Sequence, residues 1–259
     1  MKLKDKVVLV TGAGSGMGRE LTFELLRRGA RVIAVDMHAE SVAETAELGG
    51  TGVSAVNLDV RDRAAVAALP AQVGPIDCLI NNAGIIQPFV QVNELSMEAA
   101  EKVMDVNFYG PLTLIKAFLP GLLIRPEAHI LNVSSMGAYA PVPGQSIYGA
   151  SKAAVKLMTE GLRSELRETK VGVTIVFPGA IATNITTNSG IAMPEVSADA
   201  AAFKQTSAKV AAVKMVDAIE KNKPRITIGK DATMMDRLSR LNPVFAANLI
   251  YKQMKSLLG

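Results

Sequence analysis

A tyrosine and a lysine that could share proton-transfer chemistry stand four residues apart, at Tyr148 and Lys152. At helical spacing the two side chains lie on one face, one turn apart. A free tyrosine, with a pKa of about 10, is a weak base at neutral pH, but a neighbouring ammonium favours the phenolate. The pair predicts that Tyr148 is an acid–base residue whose pKa Lys152 lowers. By itself, such a pair is also typical of an exposed amphipathic helix.

Two serines, Ser134 and Ser135, follow the apolar segment His129–Val133, which predicts a strand. A hydroxyl that leaves the carboxyl end of a strand could hydrogen-bond a substrate oxygen at the same edge of the sheet as Tyr148. Ser135 lies 13 residues before Tyr148. On the residues alone both serines are candidates, and a plain turn is the alternative.

A glycine-rich loop, Thr11–Gly18, joins the first predicted strand to the first predicted helix with the spacing Gly-x-x-x-Gly-x-Gly. Glycines permit unusual backbone dihedrals and let the backbone approach phosphates closely. The N-terminus of the helix that follows can hold negative charge. The loop therefore predicts a pyrophosphate-binding site.

Asp36 ends the second predicted strand, 18 residues beyond Gly18. A carboxylate there can accept hydrogen bonds from the hydroxyls of an adenosine ribose and would repel a 2′-phosphate. The glycine loop has no basic residue before Arg19. These features predict NAD in preference to NADP, and the alternative role for Asp36 is to cap the next helix.

Short apolar segments rich in β-branched residues alternate with helical patterns along the chain. Seven predict strands: Val7–Val10, Val32–Val35, Gly52–Val56, Cys78–Ile80, His129–Val133, Val171–Phe177 and Arg225–Ile228. Continuous apolar strands joined by helices are typical of a parallel sheet covered on both faces. We predict an α/β fold: a single doubly wound, Rossmann-type domain over residues 1–229, with a helical C-terminal extension over 230–259.

Together these motifs resemble the short-chain dehydrogenase/reductase family over almost the whole chain. They occur in the family's order: Thr11–Gly18, Asn57-Leu58-Asp59-Val60, Asn81-Asn82-Ala83-Gly84, Asn107, Ser134-Ser135, Tyr148–Lys152 and Pro178-Gly179. The resemblance implies an oxidoreductase that moves a hydride between a nicotinamide cofactor and a carbonyl or alcohol. It favours Ser135 over Ser134, and it implies that Asn107 holds a water that links Lys152 to solvent. The implied catalytic residues are Asn107, Ser135, Tyr148 and Lys152.

The resemblance also implies the cofactor contacts. Asp59 would lie beside the adenine, the Asn82-Ala83-Gly84 turn beside a ribose, and Thr183 with the Ile181 backbone beside the nicotinamide carboxamide. The whole expected set is Gly12, Ser15, Gly16, Met17, Gly18, Asp36, Asp59, Val60, Asn82, Ala83, Gly84, Tyr148, Lys152, Pro178, Gly179, Ile181 and Thr183. His38 and His129 lack partners at metal-ligand spacing, so we predict no catalytic metal.

The segment 183–203 is expected to cover the substrate, and its residues are mostly apolar. It predicts a hydrophobic secondary alcohol or its ketone, with Tyr139, Val142, Pro143 and Gln145 on the opposite wall. One alternative is an NADPH-dependent carbonyl or 3-oxoacyl reductase. A non-catalytic NAD sensor or scaffold is another, against which the four catalytic residues argue. The family resemblance also implies a homodimer or homotetramer.

Charge is distributed unevenly along the chain. Residues 1–220 carry a net charge of −2 and residues 221–259 a net charge of +6. A basic groove for nucleic acid would spread over a folded face and interleave aromatic residues, whereas this chain has no Trp and only 4 Tyr, which argues against nucleic-acid binding. The tail predicts an amphipathic helix with Ala247, Ile250, Met254 and Leu257 on one face. That helix would pack on its own domain or a partner subunit, or alternatively rest on an acidic membrane surface.

Cys78 is the only cysteine, so no intrachain disulfide can form, and a reducing cytoplasm is expected. We expect no signal peptide at the start of the chain. No run reaches the roughly 18 consecutive apolar residues typical of a membrane-spanning helix.

Overall fold

The computed structural model describes residues 1–183, 185–191 and 205–255. Its strands are β1 (Val7–Thr11), β2 (Arg31–Asp36), β3 (Val53–Asn57), β4 (Cys78–Asn81), β5 (Ala128–Val133), β6 (Val171–Pro178), β7 (Ile181–Ala182), β8 (Thr206–Ser207) and β9 (Arg225–Ile228). Seven of them form one parallel sheet in the order β3-β2-β1-β4-β5-β6-β9, while β7 and β8 pair separately. The predicted seven-stranded, doubly wound sheet is confirmed.

Helices connect the strands. They are α1 (Gly16–Arg27), α2 (Ala39–Gly49), α3 (Arg63–Val73), α4 (Met97–Met104), α5 (Gly110–Leu123), α6 (Ser146–Glu165), α7 (Ile185–Asn188), α8 (Ala208–Glu220), α9 (Lys230–Leu241) and α10 (Pro243–Met254). A π-helical turn over Asp105–Tyr109 joins α4 to α5. Gly29, just after α1, has a φ of +80°, the left-handed conformation expected of a helix-ending glycine.

The sheet has an apolar core on each face because successive strand residues point to opposite sides. In β1, Val8 and Val10 pack with residues of α1 and α8. Leu9, between them, packs on the other face with Leu69 of α3 and Phe118 of α5. β1 neighbours both β2 and β4, so the strand order reverses there, and ligands bind at such a point in open parallel sheets.

The helical stretch Met97–Leu123 has the length, 27 residues, and the composition to cross a membrane. In the fold, however, its side chains Leu114, Phe118 and Leu122 are buried in the core beneath the sheet. A buried core helix meets the same length and composition test, and one face of this stretch packs in the core of the domain.

The C-terminal helices pack on their own domain. Ala246 and Ile250 of α10 are buried against Ala140 and Met235. Of the two alternatives for the tail, the structure therefore shows packing against the chain itself. The buried face differs by one position from the expected one, because Ala246 is buried where Ala247 was expected. The expected Leu257 lies outside the described residues.

Candidate active site

A groove of about 420 Å³ opens at the carboxyl ends of β1, β2 and β4. Eleven of the expected cofactor contacts line it: Gly12, Ser15, Gly16, Met17, Asp36, Asp59, Val60, Asn82, Ala83, Gly84 and Thr183. The other six are not among its lining residues: Gly18, Tyr148, Lys152, Pro178, Gly179 and Ile181. The structure thus gathers residues from positions 12 to 183 along one crevice at the switch point of the sheet.

The glycine loop forms the floor of this groove. Gly12 and Gly16 have φ values of +65° and +50°, which only glycine adopts without strain. A Cβ on Gly18 would collide with the carbonyl oxygen of Gly12, so the start of α1 can approach the loop only because Gly18 lacks a side chain. The Ser15 side chain does not cap α1, which leaves the positive end of the helix directed at the groove.

Asp36 stands at the end of β2 with both carboxylate oxygens fixed. Its Oδ2 accepts a hydrogen bond of 2.9 Å from Gly14 N, and its Oδ1 accepts one of 3.0 Å from His38 N. His38 is the N-cap residue of α2, so the alternative that Asp36 caps this helix is wrong. The carboxylate is held against the glycine loop, where an adenosine ribose would lie.

Asp59 lies on the same wall, paired with Arg61. The guanidinium Nη2 is 2.6 Å from Oδ2 of Asp59, and hydrogen bonds from Arg61 lower the pKa of this carboxyl group. Arg61 also lines the groove. Arg61 was not predicted from the sequence as a groove residue. Its position two residues after Asp59 was the only sequence feature that could have indicated it.

The Asn81–Gly84 turn is tied to the end of β1. Thr11 Oγ1 accepts hydrogen bonds from Asn82 N and Ala83 N, and Asn82 Nδ2 donates to Thr11 O at 2.9 Å. The buried Oδ1 of Asn82 has no hydrogen-bond partner among the described residues. An orphaned acceptor in the wall of a glycine-floored groove fits a ligand rich in hydroxyl donors, such as a dinucleotide. The residues present therefore fit a nicotinamide dinucleotide.

The segment after β6 faces the glycine loop from the opposite side. A Cβ built on Gly16 would lie 3.3 Å from Cβ of Thr183, so these two residues meet across the groove. Pro178 and Gly179 lie behind this contact, where Gly179 N donates to Ile228 O at 2.8 Å. They support the loop that carries Thr183.

Tyr148 and Ser135 meet beside this groove. Tyr148 lies in the first turn of α6, and Ser135 is the second residue after the end of β5. A Cβ on Gly137 would lie 3.3 Å from Cε1 of Tyr148 and 3.5 Å from Oγ of Ser135, so both side chains border the same small space. Ser134 instead donates a 2.7 Å hydrogen bond to the carbonyl oxygen of Lys152 and is buried. Of the two serines, Ser135 is the one beside the tyrosine.

Lys152 is buried on the same face of α6, with its ammonium 5.9 Å from the centre of the Tyr148 ring. Its Nζ donates to Val133 O at 3.1 Å. Burial lowers the pKa of Lys152 to about 8, because desolvation disfavours the charged form. A Cβ on Gly84 would lie 3.0 Å from this Nζ, so the glycine gives the lysine access to the groove wall.

Burial raises the pKa of Tyr148, and its hydrogen bond with Ser135 acts in the opposite direction. In the chain alone, the pKa of Tyr148 is thus raised and not lowered as expected, because desolvation of the phenolate is the largest influence on it.

Asn107 lies in the π-helical turn, and both polar atoms of its side chain are hydrogen-bonded. Its Oδ1 accepts from Ile85 N and its Nδ2 donates to Ile85 O, both at 2.9 Å. Nδ2 also donates to Oγ of Ser151 at 3.0 Å. The expected water between Asn107 and Lys152 stays a prediction. Ser151 was missed, although it stands inside the Tyr148–Lys152 motif.

Part of the predicted substrate site cannot be compared. Within 183–203, residues 184 and 192–203 lie outside the described residues. On the opposite wall, the Tyr139 ring packs 5.4 Å from that of Phe177, and its hydroxyl donates to Ala232 O at 2.9 Å. Gln145 is buried. The structure thus gives Tyr139 and Gln145 contacts inside the protein.

The chain matches the family model described as short chain dehydrogenase over residues 6–193. SadH of Mycobacterium tuberculosis is 35% identical over 252 residues, covering 92% of this chain and 91% of the relative.

Two solved structures are similar over nearly the full length. A short-chain dehydrogenase from Burkholderia cenocepacia, in complex with NADP, has a TM-score of 0.83 and 30% identity and covers 96% of this chain and 99% of its own. A short-chain dehydrogenase/reductase from Burkholderia phymatum, in complex with NAD, has a TM-score of 0.81 and 25% identity and covers 100% of this chain and 97% of its own. These neighbours bind both forms of the cofactor.

Proposed function

Because this chain belongs to the short-chain dehydrogenase/reductase family, we propose that it interconverts a hydrophobic secondary alcohol and its ketone with NAD(H). The observation that carries the proposal is the meeting of Ser135 and Tyr148 beside the dinucleotide groove, with Lys152 buried next to them. A non-catalytic sensor would need the groove but not this cluster.

The chain's own residues divide the work of proton transfer. When bound, a nicotinamide cofactor supplies or accepts the hydride. Tyr148 holds the exchanged proton at its phenolic oxygen, and Ser135 donates a hydrogen bond to the substrate oxygen. The Lys152 ammonium favours the phenolate once bound cofactor and substrate have excluded water from the site, because electrostatic interactions strengthen when water is excluded.

Asp36 supports NAD as the cofactor. Its carboxylate is fixed at the end of β2 by Gly14 N and His38 N, so it cannot easily turn away from a 2′-phosphate. The alternative, an NADPH-dependent carbonyl or 3-oxoacyl reductase, draws support from the NADP-bound neighbour and from Arg61 and Lys102 in the groove wall. Arg61 is already paired with Asp59, which weakens this alternative.

The apolar substrate is supported by the sequence of the segment 183–203 and by its described part. Ile185 lines the groove beside Thr187 and Gly190, and no described residue of that segment is charged. The described part of this segment therefore supplies no fixed cation that could anchor a carboxylate or phosphate.

A homodimer or homotetramer is supported by exposed apolar side chains on the helices that flank the site. Leu123 and Ile124 at the end of α5 are 43% and 86% exposed, and Leu157 of α6 is 69% exposed. Such groups on neighbouring helices fit burial against another copy of the chain.

The test is steady-state kinetics on a panel of secondary alcohols and ketones of increasing chain length, with both cofactors. We expect kcat/KM to be at least tenfold higher with NADH than with NADPH, which corresponds to about 1.4 kcal/mol. The matched variant Asp36→Ala/Met37→Arg should reverse the preference, since Met37 is exposed beside the carboxylate. A parent enzyme that prefers NADPH would overturn the cofactor assignment.

A further inference from the structure

Gln87 lies a few residues after the Asn81–Gly84 turn and is fully buried. Its Oε1 accepts two hydrogen bonds from the start of α6, from Ile147 N at 2.8 Å and from Tyr148 N at 2.9 Å. The first N–H groups of a helix have no partner within the helix. A side chain from a distant segment therefore supplies the acceptor that they need.

The contact is reciprocal. Gln145 occupies the N-cap position of α6, but its side chain does not cap the helix. Its Nε2 instead donates to Gln87 O at 2.7 Å. The loop after β4 and the start of α6 are thus clamped by two buried amides, each of which bonds the backbone of the other segment.

The backbone carbonyl group of Tyr148 is also linked to the loop after β4. Ser151 Oγ donates to Tyr148 O at 2.7 Å and accepts from Asn107 Nδ2 at 3.0 Å. Asn107 in turn bonds both backbone groups of Ile85. The backbone N–H and C=O of Tyr148 are therefore both linked, through at most three hydrogen bonds, to the segment after β4. This segment also forms the groove wall at Ala83 to Ile85.

We propose that Gln87 is a positioning residue for Tyr148: its amide oxygen fixes the first turn of α6, and with it the tyrosine, relative to the cofactor groove. The inference rests on the proposed function. Gln87 is not among the residues that line the groove. Its removal should thus change catalytic geometry and leave the groove intact, and misplacement of a reacting group by about 1 Å can cost on the order of 100-fold in rate.

The experiment compares Gln87→Met with Gln87→Glu. Methionine has a similar length but lacks a strong acceptor, whereas either protonation state of glutamate keeps an oxygen for both N–H groups. We expect Gln87→Met to lower kcat at least tenfold, with the KM and the Kd for NADH changed less than threefold. Gln87→Glu should retain most of the activity. If Gln87 merely fills space, Gln87→Glu should lower the activity more than Gln87→Met, because a buried carboxyl group is tolerated less well than methionine.

Hydrogen exchange provides a readout that is independent of turnover. Gln87→Met should increase amide exchange at Ile147 and Tyr148, whereas Gln87→Glu should not. The matched control is Ser96→Ala, which removes an exposed cap from α4, where Ser96 Oγ accepts from Ala99 N at 3.2 Å. This control should lower stability slightly and leave kcat unchanged. If Gln87→Met does not fold, Gln87→Asn, which withdraws the oxygen from both N–H groups, replaces it.

The possible failures are distinguishable. A parent enzyme that turns over nothing in the panel contradicts the proposed function, and the exchange measurement still tests the clamp. A parent enzyme with activity, together with a Gln87→Met variant of equal kcat or unchanged exchange at the start of α6, overturns the positioning role.

Discussion

Tyr148 occupies surroundings that oppose its ionisation in the chain alone. Burial raises its pKa, while the same burial lowers the pKa of Lys152 to about 8. Each group is thus shifted toward its neutral form, since desolvation penalises charge of either sign. The hydrogen bond with the Ser135 hydroxyl favours the phenolate but does not outweigh the effect of burial. Tyrosine is therefore a phenol near neutral pH, ready to donate its proton to a ketone oxygen.

These pKa directions predict opposite pH dependences for the two reaction directions. Ketone reduction needs the phenol, so its kcat/KM should stay high through neutral and mildly alkaline pH, because burial raises the pKa of Tyr148, and should fall only where the tyrosine loses its proton. Alcohol oxidation needs a proton acceptor, so its kcat/KM should rise with pH over the same range. Initial rates between about pH 6 and 10, with the Kd of NADH measured at each pH, give the test. Two profiles that rise together would contradict the assignment of Tyr148.

At the scale of single residues, the sequence predicted which side chains meet but not how each is engaged. The choice of Ser135 over Ser134 depended on family spacing, and the structure adds the reason, since Ser134 bonds the backbone of Lys152. The tyrosine pKa was mispredicted because helical spacing gives the distance to Lys152 but not the extent of burial. Gln87 was missed because its partners are backbone groups about 60 residues away.

The C-terminal helix α9 reaches back to both sides of the site. Asp231 in its first turn accepts a hydrogen bond of 2.7 Å from Ala180 N, just after Pro178-Gly179. A Cβ on Gly179 would collide with this carboxylate, so the glycine permits the contact. On the other side, Tyr139 donates to Ala232 O. The tail is thus a structural support for the loop that carries Thr183.

Removal of the Asp231 carboxylate should therefore disturb cofactor binding from a distance. We expect Asp231→Ala to lower the free energy of unfolding by about 1–3 kcal/mol, since Ala180 N loses a charged acceptor. The Kd for NADH should increase several-fold. Asp231→Asn keeps an acceptor and should have a smaller effect on both. Thermal unfolding and NADH fluorescence titration measure the two quantities.

The control for this variant is Asp217→Ala, which removes a carboxylate from α8 that pairs with Arg28 away from the groove. It should leave the Kd for NADH unchanged. If Asp231→Ala binds NADH as tightly as the control does, the support that α9 gives to the Pro178–Thr183 loop has no effect on the cofactor.

At the scale of elements, all seven strands of the main sheet were predicted, with ends that differ by at most one residue. Apolar runs bounded by Gly, Pro, Asn or Asp give a strong signal for buried parallel strands. The π-helical turn at Asp105–Tyr109 was not predicted, because it depends on the tertiary bonds of Asn107 to Ile85 and Ser151. Neither was the pairing of β7 with β8, which are two residues each.

In the whole molecule, the reversal of strand order at β1 and β4 brings the two halves of the site together. The nucleotide half comes from β1, β2 and the turn after β4, and the catalytic half from β5 and α6. The order of the motifs predicted this arrangement, because carboxyl ends of parallel strands share one edge. The substrate is less accessible to such reasoning, since its expected cover at 183–203 has an apolar composition but no periodic pattern.

The most direct test of hydride transfer uses NADH carrying deuterium at C4 of the nicotinamide, in both stereoisomers, with an apolar ketone. The product alcohol is analysed by mass spectrometry, in parallel for the parent protein and Tyr148→Phe. We predict that one stereoisomer delivers a single deuterium to the carbinol carbon. Tyr148→Phe should bind NADH with a similar Kd, and its rate of label transfer should be lower by roughly 100-fold or more. A parent protein that binds NADH but labels no ketone in the panel would contradict the account, as would a Tyr148→Phe variant with the parent's rate.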